Sequence, residues 1–106
     1  FDENSIARTS VKPLRYTPTL IVFSELDDLV VTAPQLPEFD ALCKMGYKLD
    51  YMNCTGAGHS EGAAWSIPEQ FAWAKSRLNG EAQNESKICV RSEPVCCSAT
   101  PEDVCR

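Results

Sequence analysis

Two residues of this sequence have the types and spacing of an acid–base pair. Asp27 closely follows an apolar run at residues 19–23 (TLIVF), and His59 lies in a glycine-flanked loop further along. A histidine that acts as a general base must be held in one tautomer, and a carboxylate does this while stabilising the imidazolium that forms. Taken singly, the aspartate is typical of a turn and the histidine of a surface loop. Their joint placement after two successive strands favours the chemical interpretation.

Two neighbours of this pair offer competing assignments. Asp28 is the alternative acid, which we rank below Asp27 because alternation along the turn lets only one of them point inward. The letters from Gly58 to Gly62 spell G-x-S-x-G, the motif of a serine nucleophile placed between a strand and a helix. We rank this Ser60 hypothesis lower, because residues 53–58 resemble a loop, the next helix is predicted to begin later, and no second histidine follows as a base.

The elements that must position the pair are predicted in the order strand, helix, strand, helix. The run at residues 19–23 is typical of a strand buried on both faces. Residues 34–45 predict a helix starting near Pro37 and ending at Gly46, a residue suited to the left-handed conformation. Its expected inner positions are Phe39, Leu42 and Cys43.

The second half of the pattern surrounds the histidine. Residues 47–52 alternate between apolar and polar, which predicts a half-exposed strand near a sheet edge. After the loop, Ser66 and Glu69 form an S-x-x-E capping pattern, with a proline in the first turn. The helix is expected to end near Leu78, before Gly80, and carries apolar residues at helical spacing: Ile67, Phe71, Ala74 and Leu78.

These elements predict an α/β fold with a parallel strand pair. A two-stranded sheet would leave the apolar run exposed to water and is not independently stable. We therefore expect another chain or a missing segment to complete a larger sheet; disulfides holding a small domain together are the alternative. The expected divisions are a lead-in at residues 1–16, a body at 17–80 and a cysteine-rich tail at 81–106.

Composition narrows the function classes. The net charge is −5 and the lysines and arginines do not cluster, which excludes the usual electrostatic signature of nucleic-acid binding. No apolar run approaches the roughly 20 residues that span a bilayer. The chain begins without a signal-like segment, which suggests processing or truncation.

The six cysteines indicate an oxidising compartment. We favour disulfides over zinc because no CxxC pair exists and the histidine is far from the tail, and we expect no cofactor. Six cysteines allow about fifteen complete pairings, and the sequence does not choose among them. Cys43 and Cys54 flank the second strand, while the adjacent Cys96 and Cys97 are not expected to bond each other. Asn53 and Asn84 begin glycosylation sequons.

The predicted strands, helices and loops over about residues 17–80 resemble the C-terminal portion of the α/β-hydrolase superfamily. PTLIVFSELDDLVV is similar to the family's strand and acid-bearing turn, in which Asp27 and Val30 match and Ser24 replaces a usual glycine. LCKMGYKLDYMNCTGAGH resembles the next helix, strand and histidine loop, and SIPEQFAWAKSRLNG the closing helix. Within the superfamily, the likeness is closest to fungal secreted lipases and esterases, although its peptidases share the spacing.

The resemblance implies a subunit or fragment of a secreted serine hydrolase that acts on carboxylic esters, with Asp27 and His59 as catalytic residues. The nucleophilic serine would come from a second chain of the same precursor or from a missing segment. Two alternatives remain: a serine peptidase of the same fold, and a disulfide-rich binding module without catalysis. A third hypothesis, ranked below these two, is a protein of the same fold that acts as a lyase or as an inactive partner.

Overall fold

The strands of this chain run parallel in one mixed α/β domain. The structure is a computed structural model that describes residues 17–80 and 89–105. The predicted lead-in, the sequon at Asn84 and residues 81–88 of the tail lie outside the described residues. The elements, in chain order, are β1 (Thr19–Ser24), α1 (Thr32–Lys44), β2 (Leu49–Thr55), α2 (His59–Trp65), α3 (Ile67–Leu78), β3 (Cys89–Arg91), β4 (Val95–Cys96) and α4 (Pro101–Val104).

The centre of the sheet is β2. Strand β1 pairs with it in parallel along its whole length, from Thr19 beside Leu49 to Ser24 beside Cys54. The tail supplies the opposite side, where β3 pairs with the first half of β2 and β4 with its end, both in parallel. The expectation that β2 lies near a sheet edge is therefore wrong, because the cysteine-rich tail contributes two short strands that its composition does not reveal.

Alternating side chains of β1 and β2 face two separate helical layers. On one face, α1 packs Phe39 and Leu42 against Phe23, Leu49 and Tyr51. Within this group the rings of Phe23 and Tyr51 have centroids 4.7 Å apart, and Phe39 meets Tyr51 edge-on at 5.4 Å. The predicted inner positions of α1 are thus confirmed as part of the main apolar core.

Helix α1 begins earlier than Pro37. Its first residue is Thr32, whose hydroxyl donates to the carbonyl oxygen of Ser24 at 2.8 Å and ties the helix start to the end of β1. Pro34 lies in the first turn, where a missing N–H costs nothing because those donors have no partner within the helix. Gly46 follows the helix with φ +87°, as predicted.

The other face of the sheet carries α2 and α3. Asp50 of β2 is buried there and accepts bonds from Trp73 Nε1 at 2.6 Å and Arg77 Nη2 at 2.8 Å. The side of β2 that alternation assigned to solvent is therefore covered by α3. Ser66 occupies the predicted N-cap position of α3 but makes no capping hydrogen bond; its hydroxyl donates to the carbonyl of Gly62 at 2.6 Å and accepts from Gln70 at 2.7 Å.

Three disulfides close all six cysteines. Cys43–Cys89 and Cys54–Cys97 join the tail to the body, and Cys96–Cys105 closes a short loop within the tail. The adjacent Cys96 and Cys97 do not bond each other, as expected. Asn53, the first residue of a sequon, is half-buried inside the central strand. Among the described residues, no helix is long and apolar enough to cross a membrane.

Candidate functional site

The carboxylate of Asp27 and the imidazole of His59 lie in direct contact. His59 Nδ1 is 2.9 Å from Asp27 Oδ2 and 3.1 Å from Oδ1. Asp27 stands three residues beyond the end of β1, and His59 four residues beyond the end of β2. Because parallel strands end at the same rim of a sheet, the two neighbouring strands bring the pair together. Asp28 is exposed, and the contacts of His59 go to Asp27.

Backbone donors hold the Asp27 carboxylate in place. Its Oδ1 accepts the N–H groups of Val30 at 2.8 Å and Leu29 at 3.0 Å. The Val30 amide, above all, lowers the pKa of Asp27 below its ordinary value of 3.8, and the bonds from His59 and Leu29 act in the same direction against the effect of burial. The acid is therefore ionised at neutral pH and oriented independently of the histidine.

The tautomer of His59 follows from this contact. An ionised carboxylate only accepts hydrogen bonds, so Nδ1 must carry the hydrogen and Nε2 of the neutral ring is the free base. The His59 side chain is 44% exposed, whereas that of Asp27 is 11% exposed. Within residues 17–80 and 89–105 no hydrogen-bond partner lies at Nε2, so the basic nitrogen is available to an incoming group.

The loop that carries His59 is fastened to the turn that carries Asp27. The amide of Leu26 donates to the carbonyl of Ala57 at 2.9 Å, and the amide of Gly56 donates to the carboxylate of Glu25 at 2.8 Å. Gly56 has φ +70° and lies against Val104 of the tail, where a Cβ would overlap that side chain. Only one of the two flanking glycines is conformationally required, since Gly58 has an ordinary φ of −84°.

A helix missed by the sequence analysis presents the imidazole. His59 is the first residue of α2, and Glu61 returns its carboxylate to the amide of Gly58 at 2.9 Å. Helix α2 reaches the sheet closely at Gly62, because any Cβ there would overlap the hydroxyl of Ser24. Ser24, which replaces the glycine of the resembled pattern, is thus accommodated by a glycine across the interface. Glu25 and Gly62 were also missed, since no spacing rule marks them.

The G-x-S-x-G motif lies between a strand and a helix. Strand β2 extends to Thr55, so only residues 56–58 of the expected loop are irregular, and α2 begins inside the motif at His59, earlier than the expected helix start. However, Ser60 lies inside α2, and the positive φ values among the described residues belong to Gly46, Gly56 and Gly80. A nucleophile elbow holds its serine on a sharp, strained turn. Ser60 has no such turn, and His59 is engaged by Asp27.

A cavity of about 280 Å³ opens beside the pair. Its walls include Val30, Gln35 and Gln70 together with Asp27 and His59. Among the described residues, no group of three or more metal-binding side chains is present. No serine or cysteine in the described part of the chain hydrogen-bonds His59, and the cysteines are closed in disulfides. The arrangement can therefore exchange a proton at Nε2, and among the described residues no hydroxyl or thiol is hydrogen-bonded to His59.

Comparisons with known proteins add no assignment: no family model matches the chain, and no similar curated protein or solved structure was found.

Proposed function

We propose that this chain is the acid- and base-bearing C-terminal portion of a secreted α/β-hydrolase that cleaves carboxylic esters. The observation that carries the proposal is the 2.9 Å contact between Asp27 Oδ2 and His59 Nδ1 at the carboxyl ends of neighbouring parallel strands. Esters rather than peptides are chosen on the resemblance to secreted lipases and esterases. The three disulfides agree with an oxidising, extracellular setting.

Each residue has one role in this mechanism. His59 Nε2 takes the proton of a serine hydroxyl as the oxygen attacks the ester carbonyl, and it then gives that proton to the leaving alkoxide. Asp27 stays ionised and stabilises the imidazolium between these two transfers. Water repeats the sequence to release the acid. The serine and the donors that stabilise the oxyanion belong to another chain of the same precursor or to a segment beyond these residues.

The test compares three variants of this chain, each within the assembled, folded protein to which the chain belongs. Asp27→Asn and His59→Ala should each lower ester turnover by about a thousandfold or more, with the fold retained. Asp28→Asn is the matched control, because its side chain is exposed and next in sequence, and it should keep near-normal turnover. A folded His59→Ala variant with normal turnover would refute the role of the base.

A second candidate is a disulfide-rich binding module without catalysis. The observation that favours it is the closure of all six cysteines within the chain, which would let the domain exist without a covalently attached partner. The two candidates predict different results of labelling with a fluorophosphonate, which reacts only with an activated serine: the hydrolase should be labelled and the binding module should not. Absence of labelling in native, folded material favours the module. Labelled material that cleaves amides better than esters would instead identify a peptidase.

A further inference from the structure

Helix α3 directs its apolar stripe away from the sheet. Ile67, Phe71 and Leu78 are 48%, 73% and 87% exposed, respectively. The residues that α3 turns toward the sheet and α2 are mainly polar, and they include Ser66 at its N-cap, Gln70, Trp73 and Arg77. A solvent-facing apolar stripe on an amphipathic helix is the reverse of the usual arrangement and marks a surface that another element covers.

Among the described strands, β1 has an unpaired edge, and this edge lies next to that stripe. The backbone amides of Thr19 and Glu25 donate to carbonyl oxygens in and next to β2. Because backbone groups along a strand point alternately to its two sides, those of Leu20 and Val22 point away from β2. In the described part of the chain, no strand pairs with β1 there. Backbone donors and acceptors along an edge are satisfied by an extended segment, and neither a helix nor a lipid can pair with them.

The edge and the stripe form one groove that continues into the candidate site. This groove of about 550 Å³ lies between Leu20 and Val22 of β1 and Ile67, Phe71 and Ala74 of α3. Val22 and Gln70 line both the groove and the cavity beside Asp27 and His59. An extended segment in the groove would therefore end beside the acid–base pair if it ran parallel to β1.

We infer that the groove binds a β-strand of the nucleophile-bearing body, paired in parallel with β1 and with its apolar side chains against Ile67 and Phe71. The inference rests on the proposed function, which requires a serine to arrive at His59 Nε2. A second copy of this chain fits less well, because a two-fold axis would pair the two β1 edges in antiparallel fashion. The two acid–base pairs would then lie at opposite ends, and neither copy would supply the missing serine.

Amide hydrogen exchange in native material tests the strand. The amides of Ile21 and Phe23 face β2 and serve as internal references for those of Leu20 and Val22. With the added strand, all four should exchange at rates within about tenfold of one another. A free edge should make Leu20 and Val22 exchange roughly a hundredfold or more faster than the references, which would overturn the inference.

A variant pair tests the apolar contact. Phe71→Asp should speed exchange at Leu20 and Val22 by about tenfold or more, because it puts a charge where the strand packs. Ala72→Asp adds the same charge at an exposed position of α3 that does not line the groove, and it should change nothing. Equal effects of the two variants, or native material with the mass of two copies of this chain, would overturn the inference.

Fluorophosphonate labelling of the same samples separates the two proposals. Exposed Leu20 and Val22 amides in material that labels would refute the strand and leave the hydrolase assignment in place. Protected amides in material that does not label would refute the hydrolase assignment and retain a strand-binding edge.

Discussion

In the pair of Asp27 and His59, the backbone orients the carboxylate, and the carboxylate in turn orients the imidazole. Asp27 accepts the backbone amides of Leu29 and Val30 through Oδ1, and this fixes the carboxylate before the imidazole contributes anything. Its Oδ2 then receives His59 Nδ1 at 2.9 Å. A carboxylate oriented by its own turn needs little rearrangement when charge develops on the imidazole, which is the condition for effective electrostatic stabilisation. Asp28 lacks this support in the described structure because the turn presents it to solvent.

The relative effects of these hydrogen bonds predict how the pKa of Asp27 changes when each donor is removed. Its pKa lies below 3.8, so the stabilisation from its ionised form is complete above about pH 3.8 and is lost as the pH falls through the lowered value. Val30→Pro, which removes the strongest backbone donor, should raise the pKa more than His59→Ala does. Carboxyl-carbon NMR of the full chain measures both shifts. A wild-type pKa above 3.8, or a change only in His59→Ala, would contradict this account.

At the scale of elements, the histidine loop is held from two sides. The turn that carries Asp27 binds this loop through Glu25 and Leu26, and the tail supports the loop where Val104 lies against Gly56. Ala57, between these supports, is fully buried. The position of His59 thus depends on two other parts of the chain, the turn that carries Asp27 and the tail, and these contacts hold the loop that bears the exposed ring.

The approach of α2 to β1 predicts a specific coupling between Gly62 and Ser24. Gly62→Ala should lower the free energy of unfolding by about 2 kcal/mol, because the new methyl group overlaps the Ser24 hydroxyl. Ser24→Gly removes that obstacle, so the double variant should lose clearly less stability than the two single losses combined. Urea unfolding measures the cycle.

Gly58→Ser is the control for this cycle. A Cβ at Gly58 meets only Glu61 at 3.5 Å, and serine suits a helix N-cap, so stability should change by no more than about 0.5 kcal/mol. Simple additivity of Gly62→Ala and Ser24→Gly would show that the two side chains do not compete for space.

Local patterns predicted some elements and missed others for physical reasons. Strand β1, the buried stripe of α1 and the extent of α3 follow from apolar runs, spacing and terminal glycines, which are signals local to each segment. The position of β2 in the sheet does not, because it depends on strands formed about 40 residues later in the tail. Helix α2 was also missed, since its seven residues are too short to show an apolar period.

The site divides in the same way. The contact between Asp27 and His59 was predictable because each comes shortly after a strand, and neighbouring parallel strands share a rim. Glu25 and Gly62 depend on contacts across the fold, from which a single sequence carries no spacing signal. The burial of Asp50 beneath Trp73 and Arg77 was hidden for the same reason.

For the whole molecule, the disulfides predict an order of stability losses. The Cys43–Cys89 bond spans 46 residues, and Cys96–Cys105 spans 9. From loop-closure entropy alone, replacing the first pair by alanine should cost about 4 kcal/mol and the second about 3 kcal/mol. Urea unfolding of the two double variants tests the order. An equal or larger loss from the short loop would show that it contributes more than entropy, for instance by supporting Gly56 through Val104.

The most direct test of the account is the protonation state of the His59 ring. In nitrogen-15 NMR of the full chain, at a pH where the ring is neutral, Nδ1 should carry the hydrogen and Nε2 should be free. Asp27→Asn should abolish this preference, because an amide can donate to Nδ1, and Asp28→Asn should leave it unchanged. A hydrogen on Nε2 in the wild-type chain, or an Nδ1–H form indifferent to Asp27→Asn, would contradict the claim that Asp27 prepares His59 as a base.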